Sequence, residues 1–88
     1  MSIRVDPLVL LVRCYKDKVD PKIPLKDIKE RYYKTLTVLL LDDGSSRVEG
    51  AVEAPTFKEV SELREHIKNL GYNKITWRHG DKNEELLL

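Results

Sequence analysis

Few side chains in this sequence could carry out chemistry, and they lie far apart along the chain. The 88 residues contain one cysteine, Cys14, and two histidines, His66 and His79. No Cys/His pair has the spacing of metal ligands. Cys14 lies in an aliphatic run, which favours a buried small hydrophobe over a nucleophile. His66 follows Glu62 by about one helical turn and is interpreted as half of an exposed pair. We therefore predict no catalytic residue and no metal site.

Glycine and acidic residues also lack the arrangement that cofactor chemistry needs. The four glycines, at positions 44, 50, 71 and 80, are too scattered for a phosphate-binding loop. Asp42 and Asp43 precede Gly44 between two strand-like segments, where aspartate favours a turn through bonds to nearby backbone. We predict no cofactor, and we expect a protein that is not an enzyme.

One segment, residues 72–82, mixes aromatic and basic side chains, as base stacking and phosphate contacts require. An alternative interpretation makes Trp77 a core anchor, because it shares a strand face with Ile75, and leaves the basic side chains as ordinary surface charge. The chain has 16 basic and 15 acidic residues, far from the balance of a non-specific nucleic-acid binder. Nucleic acid is thus the alternative partner. Its candidate contacts are Tyr72, Lys74, Trp77, Arg78, His79 and Lys82.

Three segments have the pattern of strands before the main helix. Residues 8–15 are aliphatic on both alternating faces, as in a central strand. Residues 35–42 and 46–53 flank a Gly-containing gap, which predicts a hairpin. A three-residue Asp43-Gly44-Ser45 loop would pair apolar residues across the hairpin, whereas a two-residue loop would place charges opposite them. The predicted pairs are Leu40 with Val48, Val38 with Gly50 and Leu36 with Val52.

Two helices are expected. Thr56 and Glu59 form a capping box, an apolar stripe of helical period follows, and Gly71 suits a left-handed C-cap, which predicts a helix over 57–70. A short helix over 25–33 follows Pro24, which suits a first helical turn. The β-branched residues after Lys34 then favour a strand over a continued helix.

After the helix, residues 74–79 alternate with Ile75 and Trp77 facing inward, which predicts a final strand. The resulting order is strand, short helix, strand, strand, helix, strand. This predicts an α+β fold with about four antiparallel strands, and the order resembles the split βαβ topology of ferredoxin-like domains. Residues 1–80 are expected to form one domain, and residues 81–88 a charged, then leucine-rich tail. Leu39 and Leu41 make the second face of their strand apolar, so the short helix or a second copy of the protein must cover it.

The three terminal leucines are the other unexplained apolar feature. The tail could fold back on the sheet, add to an edge strand, fray or dock onto a partner. The candidate interaction surface is therefore Leu39, Leu41, Leu86, Leu87 and Leu88.

Size and composition support a small interaction protein. A chain of 88 residues supports one core. The lone cysteine fits a reducing compartment, and the apolar run over 8–12 is too short for a signal peptide or membrane span. We expect a cytoplasmic, non-enzymatic protein-protein interaction or regulatory module, with a protein partner or itself as a homodimer, and no membrane association.

Overall fold

The structure, a computed structural model, describes residues 1–49 and 53–88. Within these residues, five strands form one mixed sheet with a single α-helix against it. The elements are β1 (Val9–Tyr15), β2 (Tyr32–Leu40), β3 (Ser45–Glu49), α1 (Phe57–Asn69), β4 (Lys74–His79) and β5 (Lys82–Leu87). The strands lie in sequence order, with β3 parallel to β4 and every other pair antiparallel. The α+β class is confirmed.

The prediction of a helix over 25–33 is wrong. Only a 3₁₀ turn forms there, over Leu25–Asp27, and Ile28 returns to extended backbone. Strand β2 then begins at Tyr32, before the expected start near Lys34. A helix this short gains too few hydrogen bonds to offset its nucleation. Pairing with β1 satisfies the backbone of Tyr32, and the residue type of both Tyr32 and Tyr33 favours strands.

A β-bulge marks the beginning of β2. Cys14 pairs with Lys34 and Tyr15 with Tyr32, so Tyr33 is an extra residue without a partner on β1. A bulge bends its strand locally and re-aims the side chains beside it. Here both Tyr33 and Lys34 reach the same residue of α1, Glu59.

The hairpin between β2 and β3 has the predicted loop length in a different register. Val38 pairs with Val48, and Leu40 pairs with Ser46 rather than Val48. The three-residue loop is therefore Asp42-Asp43-Gly44, one residue earlier than expected. The Asp43 carboxylate accepts hydrogen bonds from the Ser45 N–H at 2.9 Å and hydroxyl at 2.5 Å, which fixes the turn at this place. The other two predicted partners, Gly50 and Val52, lie outside the described residues.

Helix α1 forms where the sequence predicts it. The hydroxyl of Thr56 accepts from the Glu59 N–H, and the Glu59 carboxylate accepts from the Thr56 N–H, which completes the capping box. The helix ends at Asn69, and Gly71 follows with a φ of 92° that favours glycine. The ends of the predicted apolar stripe, Phe57 and Leu70, are exposed, and its centre is buried.

The predicted ferredoxin-like order needs correction. The segment expected to be a tail contributes strand β5, which pairs with β4 through a two-residue turn at Gly80 and Asp81. Strands β1 and β2 are direct antiparallel neighbours, because no crossover helix separates them. The only parallel pair among the described strands is β3 and β4, connected through α1. The sheet therefore has five strands in sequential order instead of four.

The core lies between α1 and one face of the sheet. It contains three residues of α1 and six of the sheet: Leu36, Val38, Leu40, Val48, Val60, Leu63, Ile67, Ile75 and Trp77. Leu10, Val12 and Cys14 of β1 pack against this core but remain partly exposed. In the described part of the chain, no helix is long and apolar enough to cross a membrane.

Candidate functional site

Within residues 1–49 and 53–88, one face of the sheet has no helix over it, and we call it the open face. Side chains alternate between faces along a strand, so the residues between the core positions point to this side. The open face has an apolar half on β1 and β2 and a polar half on β3, β4 and β5. Its main residues are Val9, Leu11, Arg13, Thr37, Leu39, Arg47, Glu49, Lys74, Thr76, Arg78, Glu85 and Leu87.

The apolar half of the open face comprises Val9, Leu11, Leu39 and Leu41. Val9 and Leu11 are 60% and 63% exposed, Leu41 is 38% exposed, and Leu39 is half-buried. Val9 lies directly opposite Leu39 across the strand pair, so these side chains form one continuous surface. Contiguous exposed apolar surface on a small protein is typical of a contact site.

The polar half of the open face is occupied by ion pairs. The Nε atom of Arg47 lies 2.8 Å from a carboxylate oxygen of Glu49, and Nζ of Lys74 lies 3.6 Å from one of Glu85. These pairs neutralise much of the charge on this half. The open face thus presents an apolar region beside a mixed-charge region.

The three terminal leucines, named as candidates for the interaction surface, divide between the two faces. Leu86 and Leu88 pack against the core beside α1, and the Leu88 N–H donates to the Asn73 carbonyl at 2.9 Å. Leu87 points to the open face and is 68% exposed. Only Leu87 of the three therefore adds to the exposed apolar surface, at the edge opposite β1.

The structure separates the aromatic and basic groups predicted to contact nucleic acid. Trp77 is only 8% exposed and belongs to the core, as the alternative interpretation predicts. Lys74 and Arg78 lie on the opposite face of the same strand. Arg78 donates to the Gly80 carbonyl at 3.0 Å, which turns it toward the β4–β5 loop.

The remaining candidates for nucleic-acid contact are peripheral. Tyr72 packs against the core and is half-buried, while His79 and Lys82 are paired with each other at the β4–β5 turn and are exposed. The six predicted residues therefore do not form one stacking and phosphate-binding surface.

A polar cluster at the N-terminus of α1 is the feature that the sequence did not predict. One carboxylate oxygen of Glu59 accepts from Lys34 Nζ at 2.9 Å and from the Thr56 N–H at 2.8 Å. The other accepts from the Tyr33 hydroxyl at 2.7 Å. Lys34 also donates to the Ala54 carbonyl at 2.9 Å. The Lys34 and Glu59 side chains are 13% and 8% exposed, so this is a largely buried ion pair.

Electrostatics in this cluster favour the charged carboxylate. Burial opposes ionisation of Glu59, but the hydrogen bonds from Thr56, Tyr33 and Lys34 and the charge of Lys34 outweigh it and lower the pKa to about 2. The hydrogen bond to Glu59 raises the pKa of Tyr33 to about 12. The capping box marks the beginning of the helix in the sequence. The contact between Glu59 and Lys34, by contrast, depends on the β1–β2 register.

Cys14 lines a shallow cavity of about 390 Å³ beside this cluster, together with Glu62 and His66. Burial, and next the negative charge of Glu59, raises the pKa of the Cys14 thiol. A raised pKa keeps the thiol protonated and weakens it as a nucleophile. Among residues 1–49 and 53–88, no three potential ligand side chains lie together as a metal ion would need.

The chain was also compared with known proteins. No protein family, curated protein or solved structure matches it.

Proposed function

We propose that this protein is a non-enzymatic interaction module that binds a protein surface through the apolar half of its open face. One observation carries the proposal: Val9 and Leu11 are each about three-fifths exposed and adjoin Leu39 on a face that α1 does not cover. Burial of this apolar surface would release free energy that the chain alone does not gain while the surface is in water. A partner that covers it recovers that free energy.

Two features favour a protein partner over nucleic acid. Trp77 is in the core and is unavailable for stacking. Two of the cations on the open face, Arg47 and Lys74, already contact carboxylates. An apolar region beside a mixed-charge region, as on the open face, is compatible with a protein interface.

We place the protein in the cytoplasm. Cys14, the one cysteine of the sequence, has no second cysteine with which to form an internal disulfide, which fits a reducing compartment.

A pull-down with the full chain tests the proposed function. The bait carries a tag after Leu88, away from β1, and is incubated with lysate of the source organism with and without nuclease. We expect protein species that survive nuclease and are lost with Leu39→Lys, which places a charge in the apolar half. Thr76→Lys, on the polar half of the same face, is the matched control and should retain them.

Two results would contradict the proposal. Capture that is equally strong with Leu39→Lys would show that the apolar half is not the contact surface. Capture that disappears with nuclease would favour the basic residues of β4 and its turn. Circular dichroism of each variant checks that the fold is unchanged.

A further inference from the structure

We propose that a second copy of this chain pairs edge to edge with β1, beside the apolar half. This inference goes beyond the proposed function, because the contact is the outer edge of β1 and not the open face. Two copies would share one continuous sheet across a two-fold axis, with both helices on the same side. The apolar halves of the two open faces would then become neighbours at the centre of the joined sheet.

The backbone of β1 presents unpaired groups along its outer edge. The Leu40 N–H donates to the Leu8 carbonyl at 2.8 Å, so the backbone groups of even-numbered residues of β1 point toward β2. Those of Val9, Leu11 and Arg13 therefore point outward, where the described chain provides no further strand. Such an edge is a ready template for another strand.

The two edges of the sheet differ in charge. Strand β5 carries Lys82, Glu84 and Glu85 among its six residues, which is a common protection against edge pairing. Strand β1 carries one charge, Arg13, in seven residues. The Arg13 guanidinium lies 5.1 Å from the centre of the Tyr32 ring, which holds it over β2 and away from the outer edge. The contrast points to β1 as the edge that pairs.

The sequence of β1 is complementary to itself in one antiparallel register. With the two-fold axis at Leu11, Val9 of each copy lies opposite Arg13 of the other. All three outward residues then pair, giving about six backbone hydrogen bonds. The two Arg13 positions are four residues apart along the strand, roughly 14 Å, so they do not repel at close range. Pro7, which has no N–H, ends the ladder.

Head-to-tail pairing of β1 with β5 is disfavoured by the charges of β5. Pairing of β1 with β1 uses the same edge on both copies and therefore closes at two. The paired strand alone buries less than the roughly 800 Å² per partner of a standard interface, so we expect a dissociation constant of roughly 10 to 100 µM.

Sedimentation velocity on the full chain, from about 1 µM to 1 mM, tests the second copy. We expect the mass to rise from 10.3 kDa toward twice that value with concentration. Leu11→Lys and Leu11→Glu each place like charges opposite one another at the axis and should remain monomeric. An equimolar mixture of the two should recover the dimer, because the charges then attract. Leu87→Lys, a similarly exposed leucine at the other edge, should dimerise like the wild type.

Amide exchange on the unmodified chain tests the edge without any variant. The N–H groups of Val9, Leu11 and Arg13 should become protected as concentration rises. The outward N–H groups of β5, those of Asn83 and Glu85, should not. Protection on β5 alone, or a mixture of Leu11 variants that stays monomeric, would overturn the inference.

The two proposals fail in different ways. If the wild type stays monomeric at every concentration, the proposed pairing with a second copy is wrong. The pull-down separately decides whether another protein contacts the open face. Nuclease-resistant capture lost with Leu39→Lys would support the proposed function whether or not the chain dimerises.

Discussion

The buried pair between Lys34 and Glu59 makes stability depend on acid in a way that can be calculated. The pKa of Glu59 falls from its ordinary value of 4.5 to about 2 in the folded chain. At about 1.4 kcal/mol per pKa unit, the charged carboxylate contributes about 3 kcal/mol to folding at neutral pH. The Glu59 side chain is 8% exposed, but Tyr33, which donates to it, is 52% exposed, so solvent screens part of the interaction and about 3 kcal/mol is an upper value.

The direction in which stability changes with pH follows from the lowered pKa of Glu59. The contribution is complete above about pH 4.5 and is lost as the pH falls toward 2, because the unfolded chain then binds a proton that the folded chain does not. Integration between these values gives a loss of about 2 kcal/mol between pH 7 and pH 3. For 88 residues, the total stability is expected to be about 4 to 13 kcal/mol, so this loss is measurable.

Glu59→Gln isolates the effect, because glutamine keeps the capping bond and removes the charge. Urea unfolding at pH 7 should show a loss of about 3 kcal/mol, since Lys34 is left buried without its partner. At pH 3 the difference from wild type should shrink by about 2 kcal/mol. Glu65→Gln, an exposed position on the same helix, should change neither value by more than a few tenths of a kcal/mol. A difference that is constant with pH would refute the reasoning.

Three further outcomes are expected. Tyr33→Phe removes a donor and should move the pKa of Glu59 upward from about 2, as carboxyl NMR titration would show. Thr56→Ala should cost about 1 kcal/mol in urea unfolding through loss of the N-cap, and an unchanged midpoint would contradict the capping geometry. Deletion of residues 83–88 should lower the melting temperature sharply, because β5 completes the sheet beside Ile75, whereas a disposable tail would leave it unchanged.

Local signals predicted the parts of the fold that depend on neighbouring residues. Helix α1 was predictable because the bonds between Thr56 and Glu59 join residues three apart, and Gly71 ends the helix. The hairpin loop was misplaced by one residue because both registers align apolar side chains, and only the bonds from Ser45 to Asp43 decide between them.

Strand β5 was one of several alternatives left open for the tail, and the buried pair was not predicted. The charged residues of β5 resemble a solvated tail, although Gly80 and Asp81 form a recognisable two-residue hairpin turn. The contact between Lys34 and Glu59 joins residues 25 positions apart. It requires both the bulge at Tyr33 and the crossing of α1 over β2, and neither is visible as a spacing in the sequence.

The sheet has more apolar surface than one helix can cover. Helix α1 has 13 residues, so it is roughly 20 Å long and about 10 Å wide, while five strands span roughly 20 Å. The cluster around Glu59 fixes the N-terminal end of α1 to β2, so the helix cannot also shield the opposite face. The side chains of Val9 and Leu11 therefore remain exposed, and β1, with one charge in seven residues, is the edge at which we propose that a second copy pairs.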